Sequence, residues 1–145
     1  MTILNILVAF AVLFVIGIIW FLLYYFNNPV LQNPDGVARV VGNCGDTMEI
    51  GLRFQAGRVN GVHHWTNGCS FSKNCVQAAA NLALGNSLKD LRKISIITIM
   101  DHVGRLPDTH LHCAQLAETT LQKCVDNYLA SMAEKKREAQ QSTPC

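Results

Sequence analysis

Gly42-Asn43-Cys44-Gly45-Asp46-Thr47-Met48 sets a thiol and a carboxylate two residues apart with a glycine between them. It also opens a run in which Met48, Ile50, Leu52 and Phe54 alternate with Glu49, Gly51, Arg53 and Gln55. A period of two is that of a strand with one buried face. Ala56-Gly57 can turn the chain, and Arg58 to Thr66 then returns as the hairpin partner. On the other side, Val37, Val40 and Val41 suggest a further short strand. Two or three antiparallel strands are expected.

Helical signals follow. Asn67-Gly68-Cys69-Ser70 ends the strand region, and Val76, Ala79, Ala80 and Ala83 then fall at helical spacing. Ser70 or Ser72 serves as N-cap, and Gly85 closes that helix. Ser87 caps a short piece, Leu88 to Lys93. Ser95 caps another through Ile96, Ile97, Met100 and Val103, and Gly104 ends it. Pro107 and Asp108 introduce the longest helix, with a stripe of Leu111, Ala114, Ala117, Leu121, Cys124, Tyr128 and Met132. Glu134 to Gln141 is a charged, solvated extension. Strands first and helices after give an α+β domain, a small antiparallel sheet of about three strands packed against several helices.

Ahead of this domain, no charged side chain occurs from Ile3 to Phe26, and Asn5 is the only strongly polar residue there. A membrane-spanning helix needs about 20 apolar residues, which this run supplies. Trp20, Tyr24 and Tyr25 gather toward its end as an aromatic belt would, and Asn27-Asn28-Pro29 stops the helix. No basic residue precedes the run and no small-x-small site follows it, which speaks for a retained single-pass anchor over a cleaved signal. Arg39, Arg53 and Arg58 follow the helix, so the soluble domain is expected on the cytoplasmic side of the cell membrane. The expected organisation is an anchor over 1–28, a linker over 29–36, one domain over 37–133 and a polar tail over 134–145. The preceding turn Asn33-Pro34-Asp35-Gly36 belongs to the linker.

The net charge of +2 is too small to argue for nucleic acid. No phosphate-binding glycine loop, G-x-S-x-G, H-E-x-x-H or C-x-x-C is present. The chemistry must come from six Cys, five His and their acidic neighbours. Cys44 follows a strand, and Asp46 beside it offers a hard oxygen ligand, although Gly-Asp is also an ordinary turn. Cys69 sits at a helix N-terminus, where the dipole and free N–H groups favour a thiolate; the plain alternative is a small buried hydrophobe. His112-Cys113 lies in the first turn of the last helix, where both can face one site, or where a surface His flanks a core Cys. Cys75 and Cys124 read as core. His63, His64 and His102 read as surface, and Cys145 as incidental.

Taken together, Cys44-Gly-Asp46-Thr-Met48, Gly68-Cys69 opening a helix, and Leu106-Pro107 through His112-Cys113 resemble the IscU/NifU N-terminal family of iron–sulfur cluster assembly scaffolds. Asn33-Pro34-Asp35-Gly36-Val37 is similar as well, so the likeness runs from about Asn33 to Tyr128. The resemblance implies a carrier that is not a turnover enzyme. It implies that Cys44, Cys69 and Cys113 accept sulfur and hold a transient [2Fe–2S] cluster. It also implies that Asp46 ligates metal or tunes lability, and that His112 is an alternative fourth ligand. Thiolates suit iron–sulfur clusters, and Cys, Asp and His together also suit zinc. A cysteine desulfurase and recipient apo iron–sulfur proteins are the implied partners, with a homo-oligomer left open. The family's Leu-Pro-Pro-Val-Lys chaperone stretch is Leu106-Pro107-Asp108-Thr109-His110 here, which argues against an Hsp70-type partner. Two other readings compete. A thiol enzyme requires a low-pKa Cys bonded to a His base. An exported, anchored binding domain requires disulfides among Cys44, Cys69 and Cys113.

Overall fold

The structure is a computed structural model and describes residues 2–27, 33–104 and 106–141. Asn28-Pro29, the linker through Gln32, and Cys145 lie outside the described residues, as does the side chain of Tyr25. The chain divides into two units, Met1–Val30 and Leu31–Cys145.

The first unit is one helix, α1 (Thr2–Asn27). Its segment Asn5–Tyr24 is long and apolar enough to cross a membrane, and none of it is buried against protein.

The second unit is built on an antiparallel sheet of β1 (Gly36–Val41), β2 (Thr47–Gln55) and β3 (Arg58–Thr66), in the order β1-β2-β3. The alternation in β2 is realised: Met48, Ile50 and Leu52 are fully buried beneath the helices, while Glu49 and Arg53 are half-buried. Gly51 departs from the pattern and is buried, because the Pro34 ring packs over it on the other face. The β2–β3 hairpin closes through Ala56 (φ 51°) and Gly57 (φ 78°), two left-handed residues whose twist matches the flanking strands. Register slips between Arg53 and Phe54, a bulge after which pairing resumes as Phe54 with Val59 and Gln55 with Arg58.

Helices α2 (Ser70–Ala83), α3 (Leu88–Leu91), α4 (Ile96–Val103) and α5 (Leu111–Gln141) follow, with a 3₁₀ turn over Asp108–His110 leading into α5. Ser95 caps α4 by accepting from the Thr98 N–H, and Gly104 ends it. The cap of α2 is a correction. The N-cap is Cys69, not Ser70 or Ser72; Ser70 is the first helical residue, and Ser72 points inward and is fully buried. The α5 stripe also shifts. Leu111 and Met132 are exposed, whereas Cys113, Leu116, Thr120 and Val125 join Ala114, Ala117, Leu121 and Cys124 inside. The expected Leu88–Lys93 piece is the single turn Leu88–Leu91.

One core joins Ile50, Leu52, Val59, Val76, Leu91, Ile99, Leu121 and Val125. Each such side chain contributes about 1.5–3 kcal/mol on burial. Polar contacts fasten α5 along β1: Cys124 donates to the Gly36 carbonyl at 3.1 Å and Asn127 to the Val37 carbonyl at 2.7 Å. The Phe54 and Tyr128 rings stack at 3.9 Å.

Candidate metal centre

Three segments distant in sequence converge at one end of the domain: the β1–β2 loop, the start of α2 and the start of α5. The loop is closed by Gly42 N–H donating to the Asp46 carbonyl (2.8 Å) and Gly45 N–H to the Gly42 carbonyl (3.0 Å). Thr47 N–H donates to Asn67 Oδ1 at 2.7 Å, and Thr66 Oγ1 to the Thr47 carbonyl at 2.6 Å. Gly68 N–H in turn donates to Thr66 Oγ1 at 3.0 Å. These bonds bind the end of β3 to the start of β2 and carry Asp46 alongside Gly68. A Cβ at position 68 would sit 2.4 Å from Asp46 Oδ2 and 2.6 Å from Ser72 Cβ, so only glycine permits this approach.

Asp46, Cys69 and Cys113 come together there, with one carboxylate oxygen and the two sulfurs all within 4.8 Å of one another. That grouping has the donor types and spacing to hold a metal ion. Cys69 is exposed at the N-cap of α2. The Ser72 backbone N–H directed at its sulfur is the main influence holding its thiol below the usual range, with the Ser72 hydroxyl and Phe71 N–H adding and burial opposing. Cys113 is fully buried, and burial pushes its thiol up, with negative charge on Cys69 and Cys44 adding to the rise. The two thiols are thus shifted in opposite directions, and each must be deprotonated to serve as a metal ligand.

Cys44 and His112 stand apart from that trio. Both are exposed, and both line an open cleft of about 190 Å³ with Gly42, Gln115, Leu116 and Thr119. His110 packs its ring on Phe71 at 4.1 Å, and its Nδ1 lies 2.9 Å from Thr109 Oγ1. The five cysteines among the described residues are all free, and Cys69 is bonded to Ser72 and not to a histidine. Neither the disulfide reading nor the thiol-enzyme reading is favoured by this geometry. Cys75 and Cys124 are in the core, their thiols pushed up to about 11 and about 12 by burial. His63, His64 and His102 are exposed.

Two residues of this centre were not apparent as such in the sequence. Gly68 is needed for the approach just described. Ser72 donates to Asp46 Oδ2 at 2.5 Å and lies 3.3 Å from Cys113 Sγ and 3.7 Å from Cys69 Sγ. A serine in a first helical turn looks locally like a cap, and its long-range partners leave no local signal.

The chain is 29% identical over 110 residues to the iron–sulfur cluster assembly scaffold protein IscU 1 of Archaeoglobus fulgidus, covering 72% of this chain and 71% of that protein. It is 29% identical over 100 residues to iron–sulfur cluster assembly protein 3 of Arabidopsis thaliana, covering 67% of this chain and 58% of the relative. A crystal structure from Fervidobacterium islandicum, described as a candidate iron–sulfur cluster assembly scaffold of the SUF system, shares the fold. Its TM-score is 0.53 at 14% identity, over 66% of this chain and 83% of that one. Residues 25–135 match the NifU-like N terminal domain, and the chain belongs to that family.

Proposed function

We propose that this protein is a scaffold on which an iron–sulfur cluster is assembled and from which it is passed on. The observation that carries the reading is the convergence of Asp46, Cys69 and Cys113 within 4.8 Å, in a chain of the NifU-like family. Cys69 and Cys113 supply thiolate ligands and Asp46 an oxygen ligand. Cys44, on the neighbouring cleft, supplies the third sulfur, and His112 beside it is an alternative fourth ligand. Mixed sulfur, oxygen and nitrogen donors bind a cluster less firmly than four thiolates, which suits cargo that must leave. The cargo is a [2Fe–2S] cluster, and Zn²⁺ is accepted by the same donors in its place. The protein acts as a carrier and not a turnover enzyme. It receives sulfur from a cysteine desulfurase and delivers clusters to apo iron–sulfur proteins. Helix α1 tethers it to the cell membrane in a single pass, with the domain on the cytoplasmic side, in keeping with the arginines that follow the helix.

The test is anaerobic reconstitution of the full chain in detergent micelles with iron, cysteine and a cysteine desulfurase, read by visible absorption and by iron and sulfide content. A labile cluster in the unaltered protein, lost in Cys44→Ala, Cys69→Ala and Cys113→Ala, supports the reading. Absence of a cluster, with metal content indifferent to those changes, removes it.

A further inference from the structure

We infer that Ser72 is a positioning residue of this centre, its hydroxyl setting the directions in which Asp46, Cys69 and Cys113 present themselves to an incoming metal ion. The inference rests on the scaffold reading above and adds a residue to it.

Ser72 is fully buried, and a buried hydroxyl needs partners. All three of its side-chain partners belong to the centre, and they come from three segments: Asp46 from the β1–β2 loop, Cys69 from the cap of α2, Cys113 from α5. A hydroxyl has one hydrogen and two lone pairs. That hydrogen is offered to Asp46 Oδ2, 2.5 Å away, or to Cys113 Sγ at 3.3 Å, and Cys69 Sγ lies 3.7 Å from the same oxygen. The oxygen is therefore the one atom that all three ligand groups share. It is carried on a helix, three residues after Cys69, so its place is fixed by backbone and not by a mobile side chain. The absent side chain of Gly68 keeps the space against Ser72 Cβ open. Groups hydrogen-bonded to metal ligands orient them, and their loss typically weakens metal binding about 10–100-fold. A serine that merely filled space would affect folding and leave affinity alone.

The experiment uses the full chain in detergent micelles under anaerobic conditions, with Co²⁺ as probe. Sulfur-to-cobalt charge-transfer and d–d bands report binding, and a chelator in competition sets the affinity. Ser72→Ala should weaken Co²⁺ binding about 10–100-fold and alter the d–d bands. Because Ser72 acts through Asp46 and the sulfurs, Asp46→Ala and Ser72→Ala combined should cost less than the product of their separate factors. If Ser72→Ala also lowers the melting temperature, Ser72→Thr and Ser72→Val decide the matter. They differ only in the hydroxyl, and the threonine protein should bind the more tightly by a similar factor. Unchanged affinity and bands in Ser72→Ala, equal affinities in the Thr and Val proteins, or factors that multiply would each overturn the inference. An unaltered protein that gives no sulfur-to-cobalt bands would instead remove the scaffold reading, and the role of Ser72 with it.

Discussion

Replacing Gly68 by alanine tests whether the approach of Asp46 to α2 holds the centre together. The new Cβ would lie 2.4 Å from Asp46 Oδ2, 2.7 Å from Asp46 Cγ and 2.6 Å from Ser72 Cβ. Asp46 can swing aside, at the cost of its bond from Ser72. A hydrogen bond to a charged group is worth about 1.5–3 kcal/mol. Ser72 Cβ belongs to a helix and must retreat by about 1 Å to reach ordinary contact near 3.5 Å. Overpacking of that kind costs about 1–3 kcal/mol. Together these place Gly68→Ala about 2–5 kcal/mol below the unaltered protein in urea unfolding, since the two responses partly substitute for each other. Co²⁺ binding should weaken with it. Gly45→Ala is the control: φ there is +85°, yet nothing lies within 4 Å of the new Cβ. It should lose only the backbone term of about 1–2 kcal/mol. A Gly68→Ala protein as stable as the unaltered one, with Co²⁺ affinity intact, would refute the reasoning.

Three further outcomes are expected. In the metal-free native chain, iodoacetamide should label Cys44 and Cys69 quickly and Cys75, Cys113 and Cys124 slowly, as peptide mass mapping can show, because among the five cysteines described the first two are exposed and the other three buried. Alkaline pH should destabilise the domain: Cys75 and Cys124 are raised from 9.0 to about 11 and about 12, so above pH 9 the unfolded chain ionises first. Stability present below pH 9 is then lost by up to about 1.4 kcal/mol per pH unit for each thiol, and Cys124→Ser should flatten the slope measured by urea unfolding. Asp46→Cys should lengthen the lifetime of a reconstituted cluster against a chelator, since a fourth thiolate binds iron more firmly than a carboxylate; an unchanged or shorter lifetime would count against Asp46 as a ligand.

The elements that were legible in the sequence are those whose signal is local. The alternation from Met48 to Phe54, the Ala56-Gly57 turn, the Ser95 cap and the Gly104 stop all depend on neighbours a few residues away, and all appear where expected. The α5 stripe was less legible because the helix is covered unevenly: its first residue, Leu111, and the distant Met132 are exposed, while Cys113, Leu116, Thr120 and Val125 are covered. In the centre, the residue types of Asp46, Cys69 and Cys113 were visible, and the resemblance grouped them. The role of Ser72 was not visible. It depends on partners 26 and 41 residues away, and a helix-start serine has a commoner explanation close at hand. The placing of Cys44 and His112 on a neighbouring cleft likewise depends on how the β1–β2 loop meets the start of α5, which has no local sequence signal.

The contact between Gly36 and α5 carries a consequence for reach. A Cβ on Gly36 would touch Tyr128 Cβ and the Cys124 carbonyl at 2.8 Å, so the strand that begins the domain is pinned midway along α5. Cys113 lies 15 residues back toward the start of that helix, about 20 Å away at 1.5 Å per residue. The seam that holds the first strand to α5 and the trio of Asp46, Cys69 and Cys113 are therefore separate stretches of one domain, and a side chain added at Gly36 should loosen the sheet against the helix without entering the metal centre.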